Sequence, residues 1–446
     1  ISADADLSVV NIHKLHGEVP VKAGERFRLS VPYVRPETID PHPPRQPDDQ
    51  EIDHRLDETI KWWRGWADPC TLQGVHVPAA LRSAIVLKAL TNAPTGAIAA
   101  APTTSLPEVI GGDRNWDYRF SWIRDSQFTV RSLGQLGFHA EADGFRRFIE
   151  RTAAGAPAEL QIMYGLDGRR RLTEVEIPLE GYRGSSPVRI GNAASEQTQL
   201  DVYGELLDLA WRWHTFGRSP DADYWRFLMR MVDIAAERWD SPDRGLLEMR
   251  AKPRHFVHSK AMCWAALDRG IRISEDSDLV APLDRWRKAR DHIHDEVMAK
   301  GVDPKRGVFV QSFGATDLDA ALLLLPSVDF VPYDDEVMVA TTDAIAEELD
   351  DGGLVRRYNA EDGLGGREGV FVAGTFWLAE CYAYQKRFDL AQAAFDRAAA
   401  TANDLGLFPE EYNPQSRQAL GNFPQGLSHL SHIAAAVALS TRPDNA

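Results

Sequence analysis

Residues 196–217, "EQTQLDVYGELLDLAWRWHTFG", decide the fold class. Apolar side chains recur there at i, i+3, i+4 and i+7, the period of a helix and not of a strand. The same pattern runs through residues 52–68, 78–93, 223–239, 255–271, 279–298 and 335–351, and again through 374–388, 390–406 and 426–440. With shorter candidates this makes about a dozen helices, and no strands between them would pair into a parallel sheet. Some of these helices are apolar nearly all round, which means cover on both faces, while others carry one apolar stripe. Two concentric layers of helices, an α/α toroid, fit that mix. The lack of a fixed sequence period argues against a flat solenoid.

The first residues read differently. "DLSVVNIHKLHGEV" (6–19) and "RFRLSVPYV" (26–34) alternate as short strands, with a turn at "KAGE" (22–25). Two or three strands do not make a stable sheet alone. "RPETIDPHPPRQPDDQ" (35–50), with five prolines, reads as a semi-rigid linker. The expected organisation is therefore 1–34, a β-like segment; 35–50, the linker; and 51–446, the helical domain.

Composition narrows the function. The 446 residues carry a formal net charge of -16, from 50 Lys and Arg against 66 Asp and Glu. Nucleic acid and anionic membrane both call for a basic footprint, so neither is an expected partner. No run of eighteen apolar residues marks a membrane span. Cys70, Cys263 and Cys381 are odd in number and far apart, so the expectation is reduced thiols in a cytoplasmic protein. The chain begins at Ile1 and not at Met, so secretion stays open. No GxSxG, Walker loop or GxGxxG leading into a helix occurs, which leaves serine hydrolysis, nucleotide phosphates and dinucleotides without support.

Charged residues gather in the connections 111–125, 185–201, 244–255, 354–369 and 405–425, and five such loops suggest one shared rim. "GGDRNWDYRFSWIRDSQF" (111–128) interleaves Asp113, Arg114, Asp117, Arg119, Arg124 and Asp125 with Trp116, Tyr118, Phe120 and Trp122. A sugar offers apolar C–H faces and a rim of hydroxyls, which rings and charged hydrogen-bonding groups match. An ion-pair lattice pinning loops together explains the stretch as well. In "RGLLEMRAKPRHF" (244–256), Glu248 sits among Leu246, Leu247 and Met249. Such surroundings raise a carboxyl's pKa, as a general acid requires, although an exposed pair with Arg250 is the plainer reading. In "GLFPEEYNPQSRQALGNFPQGLSH" (406–429), Glu410 and Glu411 are adjacent, and in extended chain only one of the two faces a site. His255 and His258 lack a third metal ligand nearby, and Asp317 and Asp319 read as helix-cap residues.

Five segments in order resemble bacterial glycoside hydrolase family 15, the glucoamylase, trehalase and glucodextranase family. They are "GGDRNWDYRFSWIRDS", "RIGNAASEQTQLDVYGELLD", "PRHFVHSKAMCWAALDRG", "GREGVFVAGTFWLAECYA" and "FPEEYNPQSRQALGNFPQGLSHLSHIAAA", and the resemblance covers roughly residues 52 to 440. The resemblance implies an (α/α)6 barrel with a pocket closed at one end, and residues 1–34 as the end of an N-terminal β-sandwich. It implies an exo-acting, inverting hydrolase that takes the non-reducing α-glucosyl residue. Trehalose is the leading substrate, and malto- or isomalto-oligosaccharides follow.

By the same resemblance Glu248 matches the general acid and Glu410 the base. Leu247 stands where Trp is usual. Arg124, Asp125 and Arg357 match residues around the terminal glucose, and Trp116, Asp117 and Arg119 match a pocket-side motif. Glu411 is grouped with these substrate-side residues. No cofactor is required by the chemistry, although some trehalases of the family depend on phosphate and magnesium. The expected partner is a small carbohydrate, and a homo-oligomer is left open. A non-catalytic toroid that binds sugar or protein is the competing class, and a sugar epimerase or lyase a third.

Overall fold

The computed structural model describes residues 1–11, 14–33, 45–153, 160–360, 366 and 368–442. Residues 34–44, most of the Pro-rich segment, lie outside them, as do 361–365 and 367 of the fourth charged loop.

The chain divides into two compact units, 1–69 and 70–446. In the first, Ser2–Ala3 pairs antiparallel with Leu29–Ser30, and Ser8–Asn11 with Lys14–His16. Helix α1 (Asp49–Ala67) follows, started by the Asp48 carboxylate accepting from Glu51 N–H. Arg28 joins strand to helix through Asp53 at 2.7 Å.

The second unit alternates outer and inner helices. The outer ones are α2 (Val77–Leu90), α4 (Ala140–Ala153), α6 (Ala222–Arg238), α8 (Leu283–Lys300), α9 (Glu336–Glu348) and α11 (Phe388–Ala399). The inner ones are α3 (Ile123–Gln135), α5 (Asp201–Thr215), α7 (Val257–Asp276), the 3-10 helix Ala320–Val328, α10 (Val372–Tyr384) and α12 (Gly426–Ser440). Each inner helix packs on the next in this order, and α12 packs back on α3. That closes the ring, and the unit is an (α/α)6 barrel.

Burial explains the sorting. Helix α10 is buried from Val372 through Ala383, because neighbours cover it on every side. Helix α8 buries only Trp286, Ile293 and Val297, one stripe at helical spacing. Asp221 and Asp335 cap the outer helices α6 and α9 through their side chains. Where α5 crosses α7 the backbones nearly touch. A Cβ at Gly204 would lie 2.2 Å from the Met262 carbonyl oxygen, so only glycine fits there.

The alternation also places the site. Inner helices run the same way, so every connection from an outer to an inner helix emerges at one end of the barrel. The five charged loops lead into α3, α5, α7, α10 and α12, whose N-termini bring positive dipole ends to that rim. Among the described residues, no helix is long and apolar enough to cross a membrane.

Candidate active site

Two adjoining cavities open at this rim. The first holds about 440 Å³ of empty space, its open mouth included, and is lined by Tyr118, Trp122, Arg124, Asp125, Glu248, Arg357, Phe371, Trp377 and Glu410 among others. The second, about 410 Å³ on the same measure, has Glu108, Arg114, Trp116, Asn192, Arg250, Tyr358 and Glu368 in its wall. Tyr118, Leu247, Glu248 and Arg357 line both, so they mark the junction.

Glu248 lies in a turn between α6 and α7. Its own N–H donates to the Gly245 carbonyl at 3.1 Å, and its φ is +57°. A left-handed glutamate costs strain that surrounding structure must hold, and such residues cluster at working sites. Leu246 and Leu247 are buried in the wall and Met249 is buried too, while the Glu248 side chain bears on the cavity. Its Oε1 accepts from Trp122 Nε1–H at 2.7 Å and from Arg124 at 3.3 Å. The partner is thus Arg124 and not Arg250.

Glu410 immediately precedes the strand Glu411–Asn413, which pairs with Val370–Phe371 at the start of α10. Its Oε1 accepts from Tyr118 O–H at 2.7 Å and from Arg357 at 3.2 Å, while Oε2 is buried without a partner. Gly421 leaves room for that oxygen, since a Cβ there would meet Oε2 at 2.6 Å. The next side chain turns away. Glu411 lines neither cavity and accepts from Arg357 at 2.8 Å and from Gly369 N–H at 3.0 Å.

Burial is the reverse of what the flanking residues suggest. The Glu410 side chain is 3% exposed and that of Glu248 is 22%. Burial pushes the Glu410 carboxyl above its ordinary pKa, against the pull of Arg357 and the Tyr118 hydrogen bond. Burial and neighbouring acids push Glu108 and Glu411 well above theirs. Among the described residues, Glu108, Glu368, Glu410 and Glu411 share Arg114 and Arg357 as their cationic neighbours.

The other expected residues divide between two places. Arg124, Asp125 and Arg357 reach the first cavity, and Arg124 Nε donates to Asp125 Oδ1 at 2.5 Å. Trp116 reaches the second cavity. Asp117 and Arg119, paired at 2.8 Å, line a separate groove with Arg169 and Arg171. The sequence points to Tyr118 and Trp122 only as aromatic faces suited to a sugar, and to Glu108 and Glu368 not at all. Tyr118 and Trp122 were within reach, since both belong to the aromatic and charged stretch that opens the site.

Among the described residues, Glu108, Glu368 and Glu411 form a group whose oxygens lie within 4.8 Å of one another. Arg114 already pairs with Glu368, and Arg357 with Glu411, so the group does not fit a divalent cation. Phosphate fares no better in the first cavity, where Arg124 and Arg357 are each held by carboxylates.

Residues 74–437 match the model of glycosyl hydrolases family 15. A trehalase of Thermoplasma acidophilum is 41% identical over 392 residues, 88% of this chain and 67% of that protein. A trehalase of Mycolicibacterium smegmatis is 44% identical over 406 residues, 89% of this chain and 60% of that one. The chain therefore spans only 60% to 67% of the length of these relatives. A bacterial glucoamylase complexed with acarbose superposes with a TM-score of 0.68 at 13% identity, over 89% of this chain and 60% of the glucoamylase. At that identity the likeness is one of fold.

Proposed function

The chain belongs to glycosyl hydrolases family 15, and on that premise we propose that it hydrolyses a small α-glucoside from its non-reducing end with inversion, trehalose being the substrate. One observation carries the reading: two carboxyl groups share one cavity, and their surroundings differ. Glu410 has one oxygen fixed by Tyr118 and Arg357 and the other unpartnered. That free acceptor suits a general base, which must receive a proton from water. Glu248 receives its hydrogen bonds on Oε1, which leaves Oε2 to carry the proton a general acid donates.

In the proposed mechanism the terminal glucosyl ring fills the first cavity against Trp122, Phe371 and Trp377. Arg124 and Asp125 offer donors and acceptors to its hydroxyls. Glu248 transfers its proton to the glycosidic oxygen as the bond to the anomeric carbon breaks. Glu410 takes a proton from water as the water oxygen attacks that carbon from the opposite face. Inverting enzymes hold the two carboxyls about 6.5–9.5 Å apart, with space for that water. Arg357 and Tyr118 favour the charged form that Glu410 needs, opposing the effect of its burial. Glu411 is assigned the role of holding Arg357 in place.

A cytoplasmic location goes with this reading, supported by Cys70, Cys263 and Cys381 all being free thiols. The experiment is a comparison of initial rates on trehalose, maltose and isomaltose. Trehalose should give the highest kcat/KM. A clear preference for maltose or isomaltose would move the assignment to a glucoamylase or isomaltose type. No glucose from any of the three, with the protein folded, would leave a binding function.

A further inference from the structure

Among the described residues, one cation of the second cavity, Arg250, has donors that are nearly uncommitted. Arg250 lies with its guanidinium carbon 3.9 Å from the centroid of the Trp116 ring, and Arg189 lies over the same ring at 4.8 Å. Glu174 draws both towards it, pairing with Arg189 at 3.4 Å and with Arg250 only at 3.9 Å. Arg114, Arg124 and Arg357, the other arginines lining the two cavities, are each committed to a carboxylate at shorter range. Arg250 is close to Glu248 in sequence and lines the same cavity, with about a third of its side chain open, at 31%.

We propose that Arg250, held over the Trp116 ring, recognises the leaving sugar by donating hydrogen bonds from its planar fork to that ring's hydroxyls, which makes it a specificity-determining residue of the second cavity. The inference rests on the hydrolase reading. Stacking on an aromatic face fixes a guanidinium at little cost in hydrogen-bonding capacity, because the N–H groups lie in its plane. A sugar ring seated beyond Glu248 presents hydroxyl oxygens, which accept charge-assisted bonds. Leu247, at the junction, supplies an apolar wall on the same side. Arg250 lines the second cavity and is not among the residues lining the first, so its influence falls on the leaving group.

The test compares Arg250→Ala with the unaltered protein on trehalose and on α-glucosyl fluoride, whose leaving group needs no second sugar pocket. The expected result is a fall of about 10- to 100-fold in kcat/KM on trehalose, carried mainly by KM, with a change below about threefold on the fluoride. An equal fall on both substrates, or no fall on either, overturns the proposal. If the unaltered protein cleaves the fluoride but not trehalose, the trehalose reading fails on its own, and the same comparison on the disaccharide it does cleave decides the role of Arg250. If it cleaves neither, the hydrolase reading fails and the assignment falls with it.

Discussion

Glu410→Gln should lower kcat on trehalose about a hundred- to ten-thousand-fold, the range lost when a positioned general base is removed. The amide still accepts from Tyr118 and Arg357 but no longer takes a proton from water. The loss is the same on α-glucosyl fluoride, because water must be activated whichever group leaves. Burial raises the Glu410 pKa, and the base works only when ionised. Activity of the unaltered enzyme therefore falls as pH drops through a pKa above the ordinary carboxylate range, and the variant's residual activity lacks that limb. The linkage runs the other way for stability. A carboxyl whose folded pKa is raised costs the fold nothing below its unfolded pKa, and the cost grows as pH rises to the folded value. Glu410→Gln thus melts no lower than the parent at neutral pH. Low activity combined with a lowered Tm would place the residue in the fold and not in the chemistry.

Glu248→Gln should produce a loss of similar size on trehalose, and here the two substrates should separate. A sugar leaving group departs as an alkoxide unless it is protonated, whereas fluoride departs without a proton. The variant should keep activity on α-glucosyl fluoride to within about tenfold while losing about a hundred- to ten-thousand-fold on trehalose. Steady-state rates on the two substrates measure this directly. Parallel losses on both would remove the acid assignment. Trp122 and Arg124 hold Oε1 of the side chain in either form, so the amide does not disturb the turn around it.

The barrel was legible because periodicity reports burial. All-round apolar helices such as α10 belong inside and single-stripe helices such as α8 outside, as the packing order bears out. One inner element escaped that reading. Ala320–Val328 is a 3-10 helix with Pro326 inside, and a continuous apolar run of that length carries no 3.6-residue period to detect.

The site was legible in outline and less so in its divisions. Residues 116–119 sit where backbone pairings such as Thr104 with Asp117 hold the chain extended. Trp116 and Tyr118 reach the second cavity, while Asp117 and Arg119 line the separate groove. A motif read as one unit is therefore split between two surfaces. Apolar neighbours misjudged the burial of Glu248 because its positive φ turns the side chain away from them. Glu108 gave no local signal, since its companions Glu368, Glu410 and Glu411 are brought to it only by closure of the ring.

The most direct measurement of the central claim is proton NMR of the purified protein with trehalose, following the anomers of glucose from the first minute. Inversion at one ring, with the other leaving unchanged, predicts equal initial amounts of α- and β-glucose before mutarotation. An all-α start would mean retention at the attacked carbon, and would contradict a water activated by Glu410 on the face opposite Glu248.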